Sequence, residues 1–156
     1  TPQTALKDGN HTITINASDN DGNAATTVSS TFTIDTVPPT LTISSPAAGL
    51  ITNKSALTVT GKTNDATSSP ITLTMTLNGT SLGSVAVETD GSFSKAVTLA
   101  EGTNSIVVTA KDGAGQTTSI TLSVKLDTTV PVLKGITLAP NPVSTSASVA
   151  ITVEVS

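Results

Sequence analysis

A stretch near the start of the chain returns about 92 residues later, and this internal repeat constrains the fold more than any other feature. Leu6-Lys7-Asp8-Gly9-Asn10-His11-Thr12-Ile13-Thr14-Ile15-Asn16-Ala17-Ser18-Asp19 lines up with Leu99-Ala100-Glu101-Gly102-Thr103-Asn104-Ser105-Ile106-Val107-Val108-Thr109-Ala110-Lys111-Asp112. Asp35-Thr36-Val37-Pro38-Pro39 then lines up with Asp127-Thr128-Thr129-Val130-Pro131, in the same order. Self-similarity at a fixed period marks an array of folded units. Its phase divides the 156 residues into the tail of one unit (1–36), one complete unit (37–128) and the head of a third (129–156). Pro38-Pro39 and Pro131 fall at the boundaries, where a missing N–H and a fixed φ end a strand and stiffen the link.

Within the complete unit the hydrophobic pattern has a period of two. Ile71, Leu73, Met75 and Leu77 alternate with Thr72, Thr74 and Thr76, as a half-buried strand requires. The pattern recurs at Leu41/Ile43, Leu57/Val59, Val85/Val87, Phe93 to Leu99, Ile106/Val108/Ala110 and Ile120/Leu122/Val124/Leu126, predicting about seven short strands. Asn78-Gly79, Asp90-Gly91, Gly102 and Asp112-Gly113 supply turn chemistry between them. Strands with one apolar and one Thr-rich face need a second sheet over the apolar face, so the expected fold is all-β, an immunoglobulin-like antiparallel β-sandwich. Its core is aliphatic, with Phe93 the only aromatic of the complete unit and Phe32 expected as its counterpart in the partial one.

The run Leu-x-(Asp/Glu)-Gly-x-(Asn/His)-x-Ile, then Ala-x-Asp, then Asp-Thr-x-x-Pro resembles the tandem bacterial Ig-like domains of extracellular and cell-surface proteins, including the glucodextranase type. The likeness covers the complete unit and both partial ones. Gly135-Ile136-Thr137-Leu138, Asn141-Pro142 and Val149-Ala150-Ile151-Thr152-Val153 resemble the opening strands of a different Ig-like subtype, which implies a mosaic array. The resemblance implies an extracellular or cell-surface location and leaves function open, because a fold does not by itself carry a function.

Composition excludes several activities. The net charge is -4, and all seven cations are Lys, so no basic stripe exists for nucleic acid. No apolar run is long enough to span a membrane as a helix. Without Cys, thiol nucleophiles and thiolate metal sites are excluded; the single His11 has no visible catalytic partner, and with no second His a general base would have to be a carboxylate. The acids sit mostly at turns, as at Asp8, Asp90 and Glu101, and no catalytic residues are expected. Sugar-binding platforms stack rings on Trp or Tyr, and both are absent, which argues against carbohydrate. His11 corresponds to Asn104, so a polar side chain satisfying loop backbone groups explains both. Asn10, Asn16, Asn53 and Asn78 begin N-x-Ser/Thr sequons, as expected in a chain so rich in Ser and Thr.

Metal binding is the one chemistry the sequence admits. Asp19-Asn20-Asp21-Gly22-Asn23 places oxygens at every second position around a Gly, which suits a hard cation such as calcium. Calcium takes six to eight oxygens, so Asp19, Asp21 and Asn23 would need Asp35 at the unit boundary, backbone carbonyls and water to complete the shell. The stretch is not an EF-hand, since Ser30 stands where that loop needs a bidentate Glu. A tight hairpin turn prefers the same residues, and both readings stand at this point. The next unit reads Asp112-Gly113-Ala114-Gly115-Gln116, keeping Asp112 and the boundary Asp127 and losing the equivalent of Asp21. The resemblance implies calcium too, because related bacterial arrays hold it at domain junctions.

Three functions follow as expectations. The first is a non-catalytic rigid spacer or stalk in an adhesin-type surface protein, with neighbouring Ig-like units as its partners. The second is a fibre subunit that meets copies of itself by strand exchange, with Val149, Ile151, Val153 and Val155 as one apolar edge. The third is an accessory domain of an exported enzyme.

Overall fold

The structure, a computed structural model, describes residues 4–65, 69–139, 148 and 150–155. Among them are twelve strands and no helix. The complete unit is built from β3 (Thr40–Ser45), β4 (Ile51–Thr52), β5 (Ala56–Asn64), β6 (Thr72–Leu77), β7 (Thr80–Val85), β8 (Ser92–Thr98), β9 (Gly102–Lys111) and β10 (Thr117–Leu126). One sheet has the order β3-β5-β8 and the other β4-β10-β9-β6-β7. The fold is thus the expected immunoglobulin-like sandwich, and six of the seven alternating segments correspond to its strands, while Val85/Val87 meets β7 only at its last residue, Val85, with Val87 forming an isolated bridge to Phe93.

The alternation becomes a core because successive side chains point to opposite faces. Leu41, Val59, Phe93 and Val97 from the smaller sheet meet Leu73, Met75, Ile106, Val108, Ala110, Leu122, Val124 and Leu126 from the larger one in a single buried cluster. The Thr residues of β6 lie between Leu73, Met75 and Leu77 and face outward or sideways. Asn78 and Gly79 both take positive φ, 51° and 80°. They close β6 onto β7 as a two-residue hairpin whose twist matches that of the strands.

One pairing departs from the antiparallel expectation. The two residues of β4 run parallel to β10, with Ile51 opposite Lys125 and Thr52 opposite Leu126. Two residues are too few to show alternation, so β4 left no periodic signal.

Outside the sandwich lie two hairpins. β1 (Gly9–Ile15) pairs antiparallel with β2 (Val28–Ile34), and β11 (Leu133–Ala139) pairs antiparallel with β12 (Ala150–Val155). By the internal repeat, β1 and β2 correspond to β9 and β10. Phe32 is therefore the counterpart of Val124 and not, as expected, of Phe93. It is half-buried on β2 opposite His11, whose ring stacks on it at 5.5 Å. Asn141, Pro142 and Val149 lie outside the described residues, while Ile151 and Val153 of β12 are exposed.

Candidate metal centre

The stretch between β2 and β3 is short and fastened at each step. Ile34 pairs with Gly9 at the end of the hairpin, Asp35 and Thr36 follow, and Pro38-Pro39 lead into β3 with Pro39 buried. The Val37 N–H donates to Asp35 Oδ1 at 3.1 Å, an Asx turn that orients the carboxylate. Thr36 donates its N–H to Asp8 Oδ1 at 3.1 Å and its hydroxyl to both Asp8 oxygens at 3.0 Å.

β3 begins where two other strands end. Thr40 lies opposite Asn64 at the end of β5, with Asp65 next in the chain. The Thr63 hydroxyl donates to the Thr40 carbonyl at 2.7 Å and holds that corner closed. Asp112 directly follows β9 and closes the turn to β10. Its N–H donates to the Gln116 carbonyl at 3.1 Å, and its Oδ1 accepts the Gln116 N–H at 2.8 Å. The linker of one unit and two strand ends of the next thereby converge.

At that place Asp35, Asp65 and Asp112 each bring one carboxylate oxygen within 4.8 Å of the others. Asp112 is only 5% exposed. In Asp35 and Asp112 the turn occupies Oδ1, while Oδ2 is buried and has no hydrogen-bond partner. A buried carboxylate oxygen without a partner is costly. Each pair of carboxylates at this separation repels by about 3 kcal/mol at an effective dielectric of about 20. A cation among the three reverses the sign of the interaction.

The donor set bears on which ion would fit. Three carboxylates without Cys or His suit a hard cation, and oxygens that share one calcium at 2.3–2.6 Å lie at most about 5 Å apart. Magnesium keeps most of its waters and uses one or two carboxylates, so three convergent ones favour calcium. Asp35, Asp65 and Asp112 would hold the ion, with backbone carbonyls and water filling the rest of the shell.

The expected ligand sets are not brought together. Asp19, Asp21 and Asn23 follow β1, whereas Asp35 follows β2, and the register places Ile15 opposite Val28 and Gly9 opposite Ile34. The two groups therefore lie at opposite ends of the hairpin, about 20 Å apart by strand rise. Asp112 and Asp127 are likewise at opposite ends of the longer hairpin β9–β10. The turn after a strand and the linker after its partner are close in sequence, but antiparallel pairing sends them to opposite poles. Asp65 was missed because its signal is the direction of β5 and not a spaced motif.

The Asp19 stretch makes the hairpin turn that its composition equally predicted. Asp19 Oδ1 accepts the N–H groups of Asp21 and Asn23, and its Oδ2 accepts the Asn23 side-chain amide at 2.8 Å. The Asn23 bonds, side chain first and then backbone, hold the Asp19 carboxyl below its ordinary value. Asp21 and Asn23 are exposed. Asp127 repeats the geometry of Asp35, accepting the Thr129 N–H at 3.3 Å, but its Oδ2 pairs with Lys125 at 3.1 Å. The Lys125 hydrogen bond, followed by that of the Thr129 N–H, lowers the Asp127 carboxyl. Thr33 stands at the corresponding place in the first unit.

Comparison with known proteins agrees with this architecture. Residues 39–128 match the family described as glucodextranase, domain B, and residues 1–36 match the one described as bacterial Ig-like domain. Bacillopeptidase F of Bacillus subtilis (strain 168) is 31% identical over 131 residues, covering 84% of this chain and 9% of that protein. The chain thus spans less than a tenth of this relative's length. Among solved structures, the fibronectin(III)-like modules of Clostridium thermocellum CbhA are similar with a TM-score of 0.50 and 18% identity, over 80% of this chain and 65% of theirs.

Proposed function

The chain belongs to the glucodextranase domain B family of bacterial Ig-like modules, and on that footing we propose that it is a non-catalytic spacer of an extracellular protein whose joint between units is set by calcium. The observation that carries this reading is the sharing of carboxylates across a boundary. Asp35 comes from the exit of one unit, Asp65 and Asp112 come from the next, and two of their oxygens are buried and unpartnered. An ion held by both units restricts their relative rotation, which a peptide link with two Pro residues only partly does. An extracellular setting suits the site, because millimolar calcium fills sites of the 10⁻⁴–10⁻³ M class found in extracellular modules.

Within this reading, the likeness to a small segment of Bacillopeptidase F favours an accessory segment of a larger enzyme over the stalk of an adhesin. In either case the module's work is mechanical: it holds flanking domains at a fixed distance and angle.

Thermal unfolding of the chain in millimolar calcium and in EDTA tests the proposal, with Asp112→Asn beside the natural sequence. Calcium at about 100 times its dissociation constant adds about 2.7 kcal/mol of stability, a rise of several degrees for a domain this size. Asp112→Asn keeps an oxygen for the Gln116 N–H, so it should fold, be at least as stable in EDTA through relief of repulsion, and lose the calcium response. The double change Asp19→Asn and Asp21→Asn should leave that response intact. Equal melting of the natural chain with and without calcium would refute the metal centre.

A further inference from the structure

We propose that Asp8 with Thr36 is a latch that holds Asp35 in the metal centre, and that Glu101 with Thr128 is the same device at the outgoing boundary, where it presents Asp127. The inference rests on the calcium reading above and adds positioning residues to it.

The latch follows from register. Gly9 pairs with Ile34 and Gly102 with Leu126, so the residue before each Gly faces the two residues after each partner. Those are Asp8 against Asp35-Thr36 and Glu101 against Asp127-Thr128. In the first unit Asp8 accepts both the N–H and the hydroxyl of Thr36. In the second, Glu101 Oε1 accepts the Thr128 N–H at 3.2 Å and Oε2 accepts its hydroxyl at 2.9 Å. The acid differs in length and the bonding is the same, which identifies a repeated device rather than a chance contact.

The latch acts on the residue before it. With the Thr36 N–H tied to Asp8 and the Val37 N–H tied to Asp35 Oδ1, both peptide groups that follow Asp35 are fixed. The Asp35 carboxylate is then held with Oδ2 in the buried position beside Asp65 and Asp112. Without the latch, calcium binding must order the linker as well as fill its shell, which weakens it. Hydrogen bonds to a charged acceptor are each worth enough that losing the Thr36 hydroxyl should weaken calcium by about tenfold.

The test is calcium titration by calorimetry on the full chain, comparing Thr36→Val, Thr36→Ser, Asp8→Ala and Thr128→Val. Thr36→Val and Asp8→Ala should weaken calcium about tenfold, Thr36→Ser should restore natural affinity, and Thr128→Val, which breaks the sister latch, should leave it unchanged. A role confined to strand-end stability would lower melting in EDTA in both Val variants and move neither affinity. Natural affinity in Thr36→Val, or equal weakening by Thr128→Val, overturns the latch and leaves the metal centre standing. A natural chain that binds no calcium overturns the metal centre, and the latch with it.

Discussion

Phe93 occupies the middle of the aliphatic core, 3% exposed, and it fits because residue 61 has no side chain. A Cβ on Gly61 would collide with the Thr42 carbonyl oxygen and come within 2.6 Å of Phe93 Cζ. Phe93→Ala should therefore cost about 3–5 kcal/mol in urea unfolding, and a loss below 1 kcal/mol would show that the core collapses around the space. A second prediction concerns Asp90, which lies in the turn between β7 and β8. The Ser92 hydroxyl and N–H, followed by Lys62, pull its carboxyl from 3.8 to about 2. The group is depressed in the folded state, so its contribution is present above the unfolded value and lost as pH falls through the folded one. Acid titration of the chain should show stability falling between about pH 4 and pH 2, with Asp90→Ala removing part of that fall. An identical acid profile for Asp90→Ala would exclude the turn as a source.

The same residues in two settings show what patterning could reveal and what it could not. Leu6 and Leu99, Ile13 and Ile106, and Ile15 and Val108 are equivalent by the repeat. Ile106 is fully buried, yet Ile13 is 54% exposed, because among the described residues no second sheet lies over the hairpin β1–β2. Alternation therefore reports which face seeks cover, while burial depends on the partner sheet. His11 and Asn104 were legible, because both must satisfy the same loop: His11 Nε2 lies 2.7 Å from the Lys7 carbonyl, and Asn104 Nδ2 donates to the Ala100 carbonyl at the same distance. Strand β4 was not legible, since its placement comes from the chain crossing between sheets and not from a period. The candidate metal centre was half legible. Asp35 and Asp112 stand out as repeated acids at boundaries and turns, but their positions in the sequence group them with different ligand sets. Placing them together requires following the directions of β2, β3, β5 and β9 to one pole, where Asp65 also lies.

At the scale of the whole chain, the repeat turns the local site into a rule for assembly. Asp35 and Asp127 are equivalent linker acids, and Asp19 and Asp112 are equivalent turn acids. The hairpins β1–β2 and β9–β10 thus each carry a turn acid at one end and a linker acid at the other. At the first boundary the turn acid Asp112 meets the linker acid Asp35 of the preceding unit, so joints of this kind would propagate in one direction along an array. They need not be identical, since Lys125 supplies an ammonium to Asp127 where Thr33 offers none near Asp35. Rigidity at the first boundary should then depend on calcium. The absence of Cys allows spin labels to be placed without background, and Thr12→Cys with Thr121→Cys puts one label on β1 and one on β10, both at exposed positions. Electron spin resonance should give a narrow distance distribution in calcium and a broad one in EDTA, and Asp112→Asn should remain broad in both. A distribution of one width in calcium and EDTA would mean that Pro38-Pro39 and the Asp8–Thr36 bonds fix the joint without an ion. The spacer would then owe its stiffness to the covalent chain, and three carboxylates would have been gathered at the boundary with no mechanical result.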